Sequence, residues 1–119
     1  TLAVHADDVV PDYDDSVNAF AVHRSPGGLD LAAVLSQLAQ RGVNELQVEA
    51  GATLCGALLR AGLVDELLLY VAPVLLGERG RPLFAGIHPA TMAERFGLRL
   101  LDTRQVGPDL RLRLAMAPA

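Results

Sequence analysis

The residues with the clearest chemical potential lie together in one stretch, Val48-Glu49-Ala50-Gly51-Ala52-Thr53-Leu54. It joins an apolar run, Leu46-Gln47-Val48, to a second, helix-like apolar run from Leu54 to Leu59. A strand that turns directly into a helix leaves backbone N–H groups free at the helix start. With the positive end of the helix dipole, these favour an anion. Glu49 falls at the carboxyl end of the expected strand, the edge where open α/β sheets place their ligands. The turn therefore reads as a holder for a phosphate-bearing cofactor, with Glu49 facing a second ligand.

Two familiar phosphate motifs are excluded. Gly51 and Gly56 keep the four-residue gap of a P-loop, but Ala57 and Leu58 stand where Lys and Ser or Thr are required. The G-x-G-x-x-G fingerprint fails because residue 53 is Thr. A single glycine with a neighbouring Thr53 hydroxyl fits an anion site and a plain helix-packing turn equally well. Glu49 is open in the same way. It serves either as a dipole partner of the helix, stabilised by about 0.3–1 kcal/mol, or as an acceptor for a ligand's N–H and hydroxyl groups.

Other reactive residue types carry less. His5, His23 and His88 lack metal-ligand spacing and read as surface or loop histidines. Asp7, Asp8, Asp12, Asp14 and Asp15 surround Pro11 without the Gly and closing Glu of a calcium loop, so they read as a solvated acidic loop. Cys55 lies among apolar residues of a helix and reads as a small packing residue, not a nucleophile. Arg79 and Arg81 suit a phosphate, but a solvated turn accounts for them. Asp65-Glu66 is most simply a solvated connector. No metal site, Ser-His-Asp set or Cys-His set can be assigned, and no catalytic proton donor is identifiable.

Composition narrows the class. At 119 residues the chain makes one domain at most, and 51% hydrophobic residues suffice for a core. The net charge is −4 and the ten basic residues, all Arg, are scattered, which argues against a nucleic-acid surface. There is no apolar run long enough to span a membrane and no recognisable signal peptide. One cysteine excludes an internal disulfide and fits a reducing, cytoplasmic setting. Thr1 is not an initiator Met, and Leu2-Ala3-Val4 reads as a strand from the outset, so a fragment is expected.

The elements that must position the turn follow from pattern. Thr1 to His5 and Val17 to Val22 read as strands, with a turn at His23 to Gly28. Asp30 is a helix N-cap, Leu31, Val34, Leu35 and Leu38 recur at helical spacing, and Arg41-Gly42 ends that helix. Val43 to Glu49 reads as a strand, Thr53 to Arg60 as a helix stopped by Gly62, and Leu67 to Val71 as a strand covered on both faces. Residues 43 to 72 are thus expected to form a parallel βαβ unit. Gly77 to Pro82 is a loop, Ala90 to Phe96 makes a helical turn or two, and Leu98 to Val106 and Leu110 to Met116 form a hairpin about Gly107-Pro108-Asp109. The fold class is α/β, a mostly parallel sheet flanked by helices and finished by an antiparallel hairpin.

Four blocks add a resemblance. Val48 to Leu54, Gly62-Leu63-Val64-Asp65-Glu66-Leu67 and Ala72-Pro73-Val74-Leu75-Leu76-Gly77, in order, closely resemble the reductase domain of the riboflavin-biosynthesis deaminase/reductase family, and Gln105 to Leu110 resembles its closing hairpin. The resemblance runs from about Leu29 to the end, with Ala50 where many members have Gly. It implies a dihydrofolate-reductase-like fold and NADPH-dependent reduction of a pyrimidine ribosyl phosphate, 5-amino-6-(5-phosphoribosylamino)uracil, to its ribitylamino product. It implies cofactor contacts at Gly51, Ala52, Thr53, Leu54, Cys55, Gly56 and Ala57, a substrate contact at Glu49, and a homodimer. On the same resemblance, residues 1–119 are the C-terminal portion of the reductase domain. The upstream half, with most substrate-phosphate contacts, is missing, and the lone cysteine rules out the deaminase zinc motif. The segment alone is expected to be inactive or nearly so. Two competing readings remain at this stage. One is an inactive reductase-like dimerisation or scaffold module. The other is a dihydrofolate-reductase-superfamily enzyme acting on another pterin or pyrimidine.

Overall fold

Short runs rich in small and branched apolar residues start the chain. In the computed structural model, which describes residues 1–14 and 16–117, they form β1 (Leu2–Ala6) and β2 (Asn18–Val22). Asp15 of the acidic loop lies outside the described residues. β1 and β2 pair in parallel, from Leu2 opposite Asn18 to Ala6 opposite Val22. β3 (Arg24–Ser25) and β4 (Gly28–Leu29) then make a minimal antiparallel ladder at the expected turn. α1 (Leu31–Gln40) starts where Asp30 predicts, its carboxylate accepting the Ala33 N–H at 2.9 Å. Ala6, Phe20 and Val22 are buried, and the Arg41 guanidinium lies 4.4 Å from the centre of the Phe20 ring. These elements belong to the first of two compact units, Thr1–Val48; the second is Glu49–Ala119.

The second unit begins at the turn. α2 (Ala52–Arg60) buries Gly56, Leu58 and Leu59. Both helices end alike. Gly42 and Gly62 take positive φ, and the next residue donates back five positions, Val43 to Leu38 at 3.1 Å and Leu63 to Leu58 at 3.0 Å. A side chain at either glycine would be strained in that left-handed conformation, which is why the sequence places Gly there.

β5 (Glu66–Val71), β6 (Leu98–Val106) and β7 (Asp109–Met116) make one antiparallel sheet in the order β5-β7-β6. β6 and β7 are the expected hairpin, with Val106 opposite Asp109 across Gly107-Pro108. Met92–Glu94 is a single 3-10 turn. The register sorts the faces. Leu67, Leu69 and Val71 lie opposite Leu114, Leu112 and Leu110, while Glu66, Leu68 and Tyr70 share the other face with Arg113 and Arg111. A bulge between Leu100 and Asp102 leaves Leu101 without a ladder partner and carries Asp102 onto the arginine face. There Asp102 pairs with Arg111 at 2.5 Å and Arg104 at 3.6 Å, and Glu66 pairs with Arg113 at 3.0 Å.

Three expectations are corrected. The fold is mixed α/β, but among the described residues β1–β2 is the one parallel pair, so the sheet is not mostly parallel. Residues 43–50 carry no ladder assignment and are exposed, so no βαβ unit forms over 43–72. Apolar pattern reports a tendency to be covered by a sheet, not the identity of the neighbouring strand. β5 is not covered on both faces either, for Leu68 is 47% and Tyr70 57% exposed. It is an edge strand whose second face lies opposite Ala115, Arg113 and Arg111 of β7.

Candidate functional site

The turn that opens α2 is built from the second unit's first residues. Gly51 is the N-cap of α2, in extended conformation with φ −73° and ψ 167°, and no side chain caps the helix. The first helical bond is donated by Cys55 to the Gly51 carbonyl at 3.2 Å. The N–H groups of Ala52, Thr53 and Leu54 come before it, so none has an intrahelical acceptor. They point out of the helix end with its dipole, which is the arrangement that receives an anion. Thr53 and Leu54 are exposed, as is Glu49 two residues before the cap.

The two glycines of the turn differ in kind. A Cβ added at Gly51 would meet nothing within 4 Å, and its φ is ordinary. Nothing inside the protein requires glycine at that position; the missing side chain leaves the backbone open from outside. A Cβ at Gly56 would lie 2.0 Å from the Ala85 carbonyl oxygen. Gly56 is buried and lets residue 85 approach the helix. The family resemblance groups both among the cofactor contacts, and the packing role of Gly56 has no signal in the sequence because Ala85 is remote along the chain.

Cys55 and Ala57 are half-buried behind the turn, and the Cys55 Sγ faces the Ala50 carbonyl at 3.4 Å. Seven predicted cofactor residues, 51 to 57, thus occupy the first two turns of one helix, with Glu49 at their entrance. The Ala52 carbonyl also accepts the Ala85 N–H at 2.9 Å, a contact the sequence did not announce.

The remaining candidates do not join this site. Among the described residues no group of His, Cys, Asp and Glu side chains could hold a metal ion. Asp14 accepts from both the hydroxyl and the N–H of Ser16, which holds its carboxyl below the usual range. Arg24 grips Asp8 through Nε at 2.9 and 2.8 Å, and His23 pairs with Asp7. These pairs tie the ends of β1 and β2, beside a cleft edged by Ser36 and Gln37 of α1. Among the described residues no helix is long and apolar enough to cross a membrane.

The fold is mixed α/β, and the uncapped N-terminus of α2, two residues after Glu49, is the kind of helix end whose backbone donors can receive an anion. The chain belongs to the RibD C-terminal domain family, which matches residues 5–112. It is 41% identical over 108 residues to the riboflavin biosynthesis protein RibD of Escherichia coli, covering 89% of this chain and 29% of that one. It is 34% identical over 87 residues to a protein of Buchnera aphidicola named 5-amino-6-(5-phosphoribosylamino)uracil reductase, covering 73% of this chain and 42% of that one. The Acinetobacter baumannii RibD structure superposes with a TM-score of 0.78 at 28% identity, over 98% of this chain and 37% of that one. The chain therefore spans less than half the length of each of these relatives.

Proposed function

We propose that this chain carries the cofactor-binding part of an NADPH-dependent reductase, one that converts 5-amino-6-(5-phosphoribosylamino)uracil to 5-amino-6-(5-phosphoribitylamino)uracil. The observation that carries the reading is the open turn at Gly51, where three N–H groups without intrahelical acceptors meet an uncapped helix end. The name of the Buchnera relative supports the substrate.

The residues fit a dinucleotide phosphate. Ala52, Thr53 and Leu54 offer backbone donors, the Thr53 hydroxyl is an additional donor, and Gly51 lets the phosphate approach the backbone. Cys55, Gly56 and Ala57 complete the turns that hold these donors in place. When bound, NADPH supplies the hydride that reduces the ribosyl C1 and opens the sugar to a linear chain. Glu49 accepts hydrogen bonds from N–H or hydroxyl groups of the pyrimidine substrate and so orients it at the turn.

The same proposal includes a dihydrofolate-reductase-like sheet, a homodimer and a cytoplasmic setting. It takes residues 1–119 as the C-terminal portion of one reductase domain, supported by the share of each relative that the chain covers. The test is Gly51→Asp, made in the natural chain that contains this segment. A carboxylate placed against the cofactor phosphate is expected to weaken NADPH binding at least about fivefold, since like charges near 4 Å repel by about 1–4 kcal/mol outside the deep interior. Wild-type affinity in the variant would place the phosphate elsewhere.

A further inference from the structure

Arg60, in the last turn of α2, donates from a single guanidinium nitrogen, Nη1, to the carbonyls of Ala85 at 3.2 Å and Gly86 at 2.9 Å. It is not needed to finish the helix, because the Gly62 and Leu63 N–H groups already satisfy the terminal carbonyls of Leu59 and Leu58.

What Arg60 holds is a strap. Residue 85 is fastened to α2 at three levels. Its N–H donates to the Ala52 carbonyl in the first turn, its carbonyl lies against Gly56 in the middle, and the same carbonyl meets Arg60 at the end. The strap is fitted to the arginine: Gly86 has φ +69°, and a Cβ there would come 2.3 Å from Nη1.

The first of these fastenings reaches the turn itself. The peptide group that carries the Ala52 carbonyl also carries the Thr53 N–H, and in a planar trans peptide the two point in opposite directions. A donor pinned to the carbonyl therefore fixes the aim of that N–H and, by polarising the group, strengthens it as a donor.

We propose that Arg60 is a positioning residue for the cofactor turn. It holds the 83–86 strap so that the Ala85 N–H locks the Ala52–Thr53 peptide in its phosphate-binding orientation. This rests on the reading of the Gly51 turn as the NADPH site. Arg60 touches neither cofactor nor substrate; its effect passes through Ala85.

The experiment compares Arg60→Ala, Arg60→Met and Arg60→Lys in the natural chain, with Gly51→Asp as the reference. Arg60→Met keeps the aliphatic stem and removes the donors, so a loss of packing is separated from a loss of hydrogen bonds. The expected result is a KM for NADPH raised about three- to tenfold in Arg60→Ala and Arg60→Met, the size of the one neutral hydrogen bond, Ala85 N–H to the Ala52 carbonyl, through which Arg60 acts. Turnover at saturating NADPH should stay unchanged, and Arg60→Lys should fall in between. A purely structural role would lower the melting temperature or the folded fraction and leave KM where it was. An unchanged KM in both donor-less variants while Gly51→Asp raises it overturns the strap proposal alone. An unchanged KM in all the variants overturns the reading of the turn along with it.

Discussion

Gly51 shows how little of a residue's role lies in its own contacts. The position is sterically free and its φ suits any residue, so a side chain can be added without strain. Asp is moreover among the best N-cap residues, since its carboxylate accepts the open N–H groups and complements the dipole. Gly51→Asp is therefore expected to raise the thermal stability slightly, by a few tenths of a kcal/mol, while it weakens NADPH binding. Differential scanning calorimetry beside a cofactor titration separates the two. A variant that loses both stability and affinity would mean that Gly51 serves the fold, not a ligand. Glu49 is the complementary case: an exposed acid whose place beside the cap, not any burial, makes it a candidate for substrate contact.

At the scale of elements, α2 is read on two sides. Its N-terminus faces outward, and its Gly56 side is closed by the 83–86 strap. Replacing glycine with alanine inside a helix ordinarily gains about 1 kcal/mol of helix propensity. Here the new Cβ would meet a backbone oxygen at 2.0 Å, so the strap or the helix must move. Gly56→Ala is expected to destabilise the protein by about 1–3 kcal/mol, the usual cost of overpacking, and urea denaturation measures it. Because Gly56 and Arg60 hold the same residue, the double variant Gly56→Ala with Arg60→Ala should cost less than the two single changes together. A stabilised Gly56→Ala protein would show that the strap does not press on the helix.

Local signals explain why the elements themselves were legible. Asp30, Gly42, Gly62 and the Gly107-Pro108 turn mark boundaries by chemistry that acts within a few residues, and the observed helices and hairpin start or stop beside them. Neighbours were not legible. Whether residues 43–49 pair, and with what, depends on which strand comes alongside; so does the antiparallel partnering of β5 with β7. The Ala85 contacts with Ala52, Gly56 and Arg60 are invisible for the same reason. At the site, the turn was legible because a helix start states its own donors, whereas the division of labour between Gly51 and Gly56 was not.

On the scale of the whole molecule, apolar surface is the prominent feature. Val74 is 62% exposed, Leu76 77%, and Leu75 fully exposed, a contiguous apolar run just beyond β5. Contiguous apolar surface of this kind marks a place where another surface packs. In the homodimer proposed above, this run is assigned to the subunit contact. Leu75→Glu should leave the folded protomer's stability within about 0.5 kcal/mol, as for other exposed positions, and shift a dimer toward monomer in sedimentation equilibrium. An unchanged dimer would place the contact elsewhere on the surface.

The most direct test of the reductase reading is turnover. NADPH oxidation should be followed in the natural chain containing this segment, with 5-amino-6-(5-phosphoribosylamino)uracil as substrate, for wild type and Glu49→Ala. The expected result is substrate-dependent oxidation by the wild type and a fall in kcat/KM of about 10- to 100-fold in the variant, the effect of losing hydrogen bonds to a charged acceptor. A well-folded wild type that does not oxidise NADPH with this substrate, or a variant with undiminished kcat/KM, would contradict it.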